Sequence, residues 1–210
     1  MSITVIIIVI TVGLSIYSIE RREMMDKLIF NPYVINIRNQ WYRFITHGFI
    51  HADYTHLAVN MWVLYIFGRN VEYAYNINYY PMGTVAFILM YLSAIAIASI
   101  STFYKFKNNP GYNSLGASGA TSAVIYASIM FNPFDKIGLI FIPMDLFSLP
   151  AIVFGILYLV YSSYMSKRGG GNINHDAHFY GAIFGFVYTL LLKPELGENL
   201  IRQIKNAIGI

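Results

Sequence analysis

The sequence predicts an all-α membrane protein, a bundle of six transmembrane helices, and three observations carry that prediction. Of 210 residues, 57% are hydrophobic and only 11% are charged. The apolar stretches are long enough for a hydrocarbon core about 30 Å thick and are separated by short polar breaks. No linker rich in Ser, Pro or Gly divides the chain and no repeat of fixed period is visible, so residues 1–210 read as a single domain.

The expected spans are Ile3 to Ser18, Thr55 to Tyr75, Met82 to Phe103, Leu115 to Phe131, Phe147 to Met165 and Ala177 to Leu192. The first has no basic region before it and no small-residue cleavage site after it, so it reads as a retained helix and not as a signal peptide. Between the first two spans, Glu20 to Tyr54 is too long for a tight connection and contains Phe30, Trp41, Tyr42, Phe44, Phe49 and Ile50. Aromatic rings mixed with charge suit the headgroup layer, and this loop is expected to fold back onto the membrane. Before the fourth span, Asn108-Asn109-Pro110-Gly111, Asn113 and Ser114 supply turn chemistry that makes Ser118 a first-turn residue. Before the sixth, Gly169-Gly170-Gly171 is expected to be the most flexible stretch.

The net charge of +4 is spread over loops without an aromatic-interleaved basic patch, which argues against nucleic acid and for lipid headgroups as partners. Cysteine is absent, which removes disulfides and thiolate chemistry. Arg21, Arg22, Lys27, Arg38 and Arg43 all lie between the first two spans, and the positive-inside tendency alone would place that segment in the cytoplasm.

Polar groups inside spans are costly and ask for a reason. Ser118 stands in Gly116-Ala117-Ser118-Gly119, where flanking glycines allow close backbone approach and the first amides of a helix lack partners. Small residues in such a run also serve simple helix packing, which remains open at this point. His178 precedes Gly181 and Gly185 in a Gly-x-x-x-Gly pattern that permits a near helix neighbour, so an imidazole base can approach a serine hydroxyl. His175 lies one turn earlier, and Asp176 is placed to cap the helix. A Ser-His-Asp triad through Asp176 is the alternative to a dyad, but two positions away is a different helix face, which favours the dyad.

His56 and Asn60, at i and i+4, share a helix face and are donors suited to an oxyanion, or to hydrogen bonds between helices. His47 and His51 have the same spacing, yet Gly48 follows His47, so the zinc-protease pattern is missing. No Gly-Asp pair occurs either, leaving serine chemistry.

Together these residues resemble the rhomboid family of intramembrane serine proteases in its minimal six-helix form. The likeness rests on Gln40-Trp41-Tyr42-Arg43, His56-x-x-x-Asn60, Gly68 with Glu72, Gly116-x-Ser118-Gly119, and Ala177-His178-x-x-Gly181-x-x-x-Gly185, in that order. The resemblance implies a rhomboid-like bundle with a membrane-embedded first loop and no metal or organic cofactor. Ser118 would be the nucleophile and His178 the base. His56, Asn60 and the Ser118 amide would hold the oxyanion. Arg43, Glu72, Gly116, Gly119, Gly181 and Gly185 would support them, Glu72 by tying helices and loop together.

The implied partners are transmembrane segments of other membrane proteins, cut in or near the bilayer. The implied topology is multi-pass in the plasma membrane with a cytoplasmic N-terminus, against the charge count. Many rhomboids carry an aromatic residue four positions after the serine, packed on the histidine. Here Ser122 stands there, and Tyr126 is the expected substitute. A rhomboid-like protein that escorts helices without cutting is the main rival, and a channel or transporter a third reading. Access is expected through the fifth span, with Ala151 and Gly155 letting it yield, Phe154 and Tyr158 plugging the gap, and the triglycine acting as a cap.

Overall fold

The computed structural model describes residues 2–138, 148–168 and 173–209 and is mostly helical. Phe147, where the fifth span was expected to begin, and Gly169–Gly171 of the expected cap lie outside the described residues. Each expected span corresponds to a helix: α1 (Ile3–Glu20), α5 (residues 54–78), α6 (Gly83–Phe106), α7 (Ser118–Phe131), α8 (Ala151–Arg168) and α9 (His175–Leu192), with α2 (Arg22–Leu28), α3 (Pro32–Arg38) and α4 (Arg43–Thr46) in the first loop. By length and composition, α1 and α6 are apolar and long enough to cross a membrane, and α7 is a shorter apolar helix. Leu115 precedes α7, whose turn chemistry starts the helix at Ser118 itself.

Buried positions along α1 are Thr4, Ile7, Thr11, Ser15 and Ser18, a stripe at helical spacing of mostly small polar side chains. Its larger apolar residues, including Val9, Ile10 and Leu14, face outward. The Glu72 carboxylate caps the start of α1, accepting from the amides of Ile3 (2.8 Å) and Thr4 (3.0 Å) and the hydroxyls of Ser2 (2.5 Å) and Thr4 (2.7 Å). Glu72 therefore joins α5 to α1; the expectation that it also ties the loop is corrected, because its oxygens are occupied at the helix terminus. Just before it, α5 widens into a π-helical turn over Leu64–Gly68, where a Cβ on Gly68 would press on Thr4 Cγ2 at 2.8 Å.

Phe30, Ile35 and Phe103 form a core of their own with Phe44 against it, which docks the first loop onto the end of α6. Phe30 and Ile50 are fully buried, so these two belong to the protein interior and not to the headgroup layer. Arg43, also buried, donates to the carbonyls of Asp26 (2.8 Å) and Ile29 (2.7 Å) and to Gln40 Oε1 (2.8 Å). Those bonds satisfy carbonyls that the end of α2 leaves without intrahelical donors.

Among the described residues, three elements were not anticipated. Strands β1 (Lys136–Gly138) and β2 (Ser148–Pro150) pair antiparallel before α8, and the nearby Asp135 and Pro133 carbonyls accept from the first amides of α8, Ala151 and Ile152, at 2.8 Å each. After α9, α10 (Glu195–Ile208) buries Leu196 and Leu200 against Met130 and Phe186. At this end of the bundle Tyr75 is sealed by bonds to Thr189 Oγ1 (2.6 Å) and Met90 Sδ (3.2 Å).

Candidate active site

The backbone ahead of Ser118 is fixed by three separate parts of the chain. Ser114 exchanges both backbone hydrogen bonds with Phe30 at 3.0 Å, and Gly116 N donates to His47 O at 2.9 Å. Ala117 N donates to His51 Nε2 at 3.3 Å. From α9, Asn174 donates to Ser114 Oγ and accepts from Thr102 Oγ1 of α6, both at 3.2 Å. With those groups engaged, Ser118 opens α7, where its amide has no intrahelical acceptor.

Because His51 Nε2 accepts, the ring proton sits on Nδ1, where it donates to Ser15 Oγ (2.9 Å), which in turn donates to Phe49 O (3.1 Å). His51 is thus a strut from α1 to the residue before Ser118. His47 turns elsewhere, Nε2 meeting Ser99 Oγ at 3.2 Å. The two imidazoles weighed as metal ligands diverge, and among the described residues no cluster of three or more His, Asp or Glu side chains is close enough to share an ion.

Gly116 has φ +114°, a conformation that side chains rarely adopt, and a Cβ there would lie 2.7 Å from His56 Cε1 and 2.9 Å from Nε2. Glycine is therefore required twice over, by the backbone and by the imidazole that rests on it. His56 stands edge-on to His51 with ring centres 4.9 Å apart. Asn60 is buried one turn along. Its Nδ2 donates to His56 O at 3.0 Å, leaving one amide proton, and its Oδ1 accepts from Thr121 Oγ1 at 3.3 Å. A cavity of about 10 Å³, at the threshold for one water molecule, is lined by Ser118 with His47, Ser99, Ser114, Gly116 and Asn174.

What lets α9 approach α7 closely is glycine. A Cβ built on Gly181 would overlap the Gly119 carbonyl, and one on Gly185 would overlap that of Ala123. These contacts align α9 with α7 backbone to backbone, with Ser118 one residue before Gly119 on α7 and His178 three residues before Gly181 on α9. Both side chains are half-buried.

Several expectations about this region need correction. Asn174, not Asp176, caps α9, its Oδ1 accepting from Ala177 N at 3.1 Å, because the helix begins two residues earlier than expected. The Asp176 carboxylate is engaged by Lys105 Nζ (3.3 Å) and Ser166 Oγ. Tyr126 does not reach His178, since its hydroxyl donates to Gly155 O on α8. The ring beside His178 is that of Tyr158, centres 6.1 Å apart and planes within 16°. Ala151 and Gly155 are buried contact points, a Cβ on Gly155 meeting Ile129 Cδ1 at 2.9 Å, so they seat α8 tightly and do not loosen it.

The sequence reading missed His51 as a strut and Tyr158 as the neighbour of His178. For His51 the signal was present, a histidine five residues before His56 in an aromatic loop, but its spacing from His47 pointed to metal. For Tyr158 only the anomaly of Ser122 pointed to a missing ring.

Comparison with known proteins places this architecture among relatives. The rhomboid domain profile matches residues 38–195. Rhomboid-like protein 11, chloroplastic, of Arabidopsis thaliana is 27% identical over 80% of this chain and 58% of its own length. RHOMBOID-like protein 12, mitochondrial, of the same plant is 29% identical over 77% and 50%. Presenilin-associated rhomboid-like protein A, mitochondrial, of Danio rerio is 31% identical over 69% and 36%. The chain thus spans from about a third to somewhat over half of the length of these relatives.

Proposed function

Since this chain belongs to the membrane-integral rhomboid family, we propose that it is an intramembrane serine endopeptidase with a Ser118–His178 dyad, its six bundle helices spanning the bilayer. The observation that carries this reading is the close approach of Gly181 to Gly119, which supports a hydroxyl and an imidazole carried by neighbouring helices acting together.

His178 accepts the Ser118 proton as Oγ attacks the carbonyl carbon of a substrate peptide bond. The oxyanion that forms is held by the Ser118 amide and by donors from His56 and Asn60, poised for charge that exists only in the tetrahedral state. His178 then protonates the leaving amine, and the acyl-enzyme is released by a water activated in the same way. The substrate is a transmembrane segment locally unwound by Gly, Pro or polar residues, since helical carbonyls are shielded, with a small residue before the scissile bond.

The N-terminus, capped by Glu72 at the end of α1 remote from Ser15 and the site, is assigned to the cytoplasm of a plasma-membrane protein, with the site opening outside. Burial of Arg43 among carbonyls supports this, because that charge is removed from the loop tally that pointed the other way. The test is cleavage of a generic transmembrane substrate by detergent-purified protein beside Ser118→Ala. Products from the wild type alone support the reading. Binding without cleavage by both would replace it with helix escort.

A further inference from the structure

We propose that Tyr158, carried on α8, is the positioning residue for the His178 imidazole, held against it by a hydrogen bond to Ser122 on the helix of the nucleophile. This rests on the protease reading for its kinetic consequence but not for its geometry. Tyr158 lies nearly parallel to the imidazole at a centre distance of 6.1 Å, within the range in which offset rings attract. Its hydroxyl meets Ser122 Oγ at 2.9 Å, one helical turn beyond Ser118. Phe154 stacks on Tyr158 in the same sense, centres 6.1 Å apart and planes within 18°. The three rings form one pile, Phe154, Tyr158, His178, fastened to α7 at its middle member.

An imidazole on a helix turns about two side-chain bonds, and only some orientations aim a ring nitrogen at the hydroxyl of α7. A flat face alongside restricts the second rotation, while the edge of His175 at 5.8 Å bounds the first. Ser122 is small and so leaves room for the Tyr158 ring, and it is polar and so fixes where that ring stops. The pair works as a unit: a larger side chain at 122 would exclude the ring, and an apolar one of the same size would leave the ring in place without the bond that fixes where it stops. Because the ring comes from α8, the aim of the base depends on that helix being seated.

The experiment compares Tyr158→Ala, Tyr158→Leu, Tyr158→Phe, Ser122→Ala and the double variant Ser122→Tyr/Tyr158→Ala in the full chain. Two readouts are taken: kcat and KM on a transmembrane substrate, and the imidazole resonances of ring-labelled histidine, with His178 assigned by its loss in His178→Asn. Tyr158→Ala and Tyr158→Leu are expected to lower kcat about a hundredfold with KM little changed, as misplacement of a reacting group does. Both should remove the ring-current shift of His178. Tyr158→Phe and Ser122→Ala should keep the shift, lower kcat only a few-fold, and be no worse combined, since they break one bond. The double variant should regain about tenfold over Tyr158→Ala, because a ring is again offered from the adjacent helix.

Full activity in Tyr158→Leu would reduce Tyr158 to a space filler, and an unchanged His178 resonance in Tyr158→Ala would overturn the proposal outright. If the wild type shows no Ser118-dependent cleavage, the protease reading falls. The resonance comparison then still decides whether Tyr158 positions the ring.

Discussion

The two interfaces of α9 are built in opposite ways. Toward α7, glycines let backbone meet backbone, and a single added methyl at Gly181 or Gly185 has no room. Toward α8, contact is made by side-chain tips: Tyr158 on His178, Tyr161 on His175, and Ser166 on Asp176, with Lys105 of α6 bridging Asp176 and the Ser166 carbonyl. Backbone contacts do not adjust, whereas tip contacts can part and reform. Ser118 and His178, the proposed nucleophile and base, therefore belong to one fixed frame, and α8 is a member attached to it from one side.

The sharpest way to break this contrast is at the glycines. Gly181→Val should abolish both activity and stable folding, the branched side chain having to displace the Gly119 carbonyl and overpacking a close contact by several kcal/mol, about 3 or more. A folded, active Gly181→Val protein in a thermal melt and cleavage assay would show that α9 and α7 are not rigidly joined. Gly116→Ala acts one step away from that interface. With φ at +114° and His56 Cε1 2.7 Å from the new methyl, it should displace the imidazole and lower kcat about a hundredfold, while Tm falls less than in Gly181→Val.

Asn60→Ala should reduce turnover by roughly a hundredfold with little change in KM, the loss typical of one oxyanion donor. A defect in KM alone would make Asn60 a substrate-holding residue. The smallest effect belongs to the tip-built side. Lys105→Met removes an ion pair whose cation is about half exposed, so Tm should fall by about 2 °C or less and the difference should vanish in high salt. A large, salt-independent loss would mean that the Lys105 bridge between α6, Asp176 of α9 and the Ser166 carbonyl of α8 is as firm as the backbone contact of α7 and α9.

Legibility in the sequence follows the same division. The α7–α9 interface could be read because its determinants are local: small residues three and four apart around Ser118 and after His178. What α8 presents to α9 depends on how two helices distant in sequence are rotated against each other, which periodicity does not encode. Tyr158 was therefore assigned to the gap and Tyr126, the ring nearest in sequence, to His178. Asp176 was taken as the cap where Asn174, two residues earlier, does that work, a boundary shift within the usual uncertainty of helix ends. Helix α10 escaped a search for long apolar runs, although Leu196, Leu200 and Ile204 recur at i, i+4 and i+8 between charges, which is the mark of an amphipathic helix. The first loop was expected at the membrane surface because aromatic rings suit headgroups, but Phe30 and Ile50 found partners within the protein.

The central claim is that Ser118 is activated by His178 across the α7–α9 contact. Its most direct measurement is covalent capture: the purified protein is treated with a fluorophosphonate, digested, and the modified residue located by mass spectrometry in the wild type and in His178→Ala. The account predicts a stoichiometric adduct on Ser118 in the wild type, undiminished by metal chelators and lost in His178→Ala despite an unchanged melting curve. An unlabelled Ser118 in folded wild-type protein, or equal labelling when His178 is removed, would contradict it.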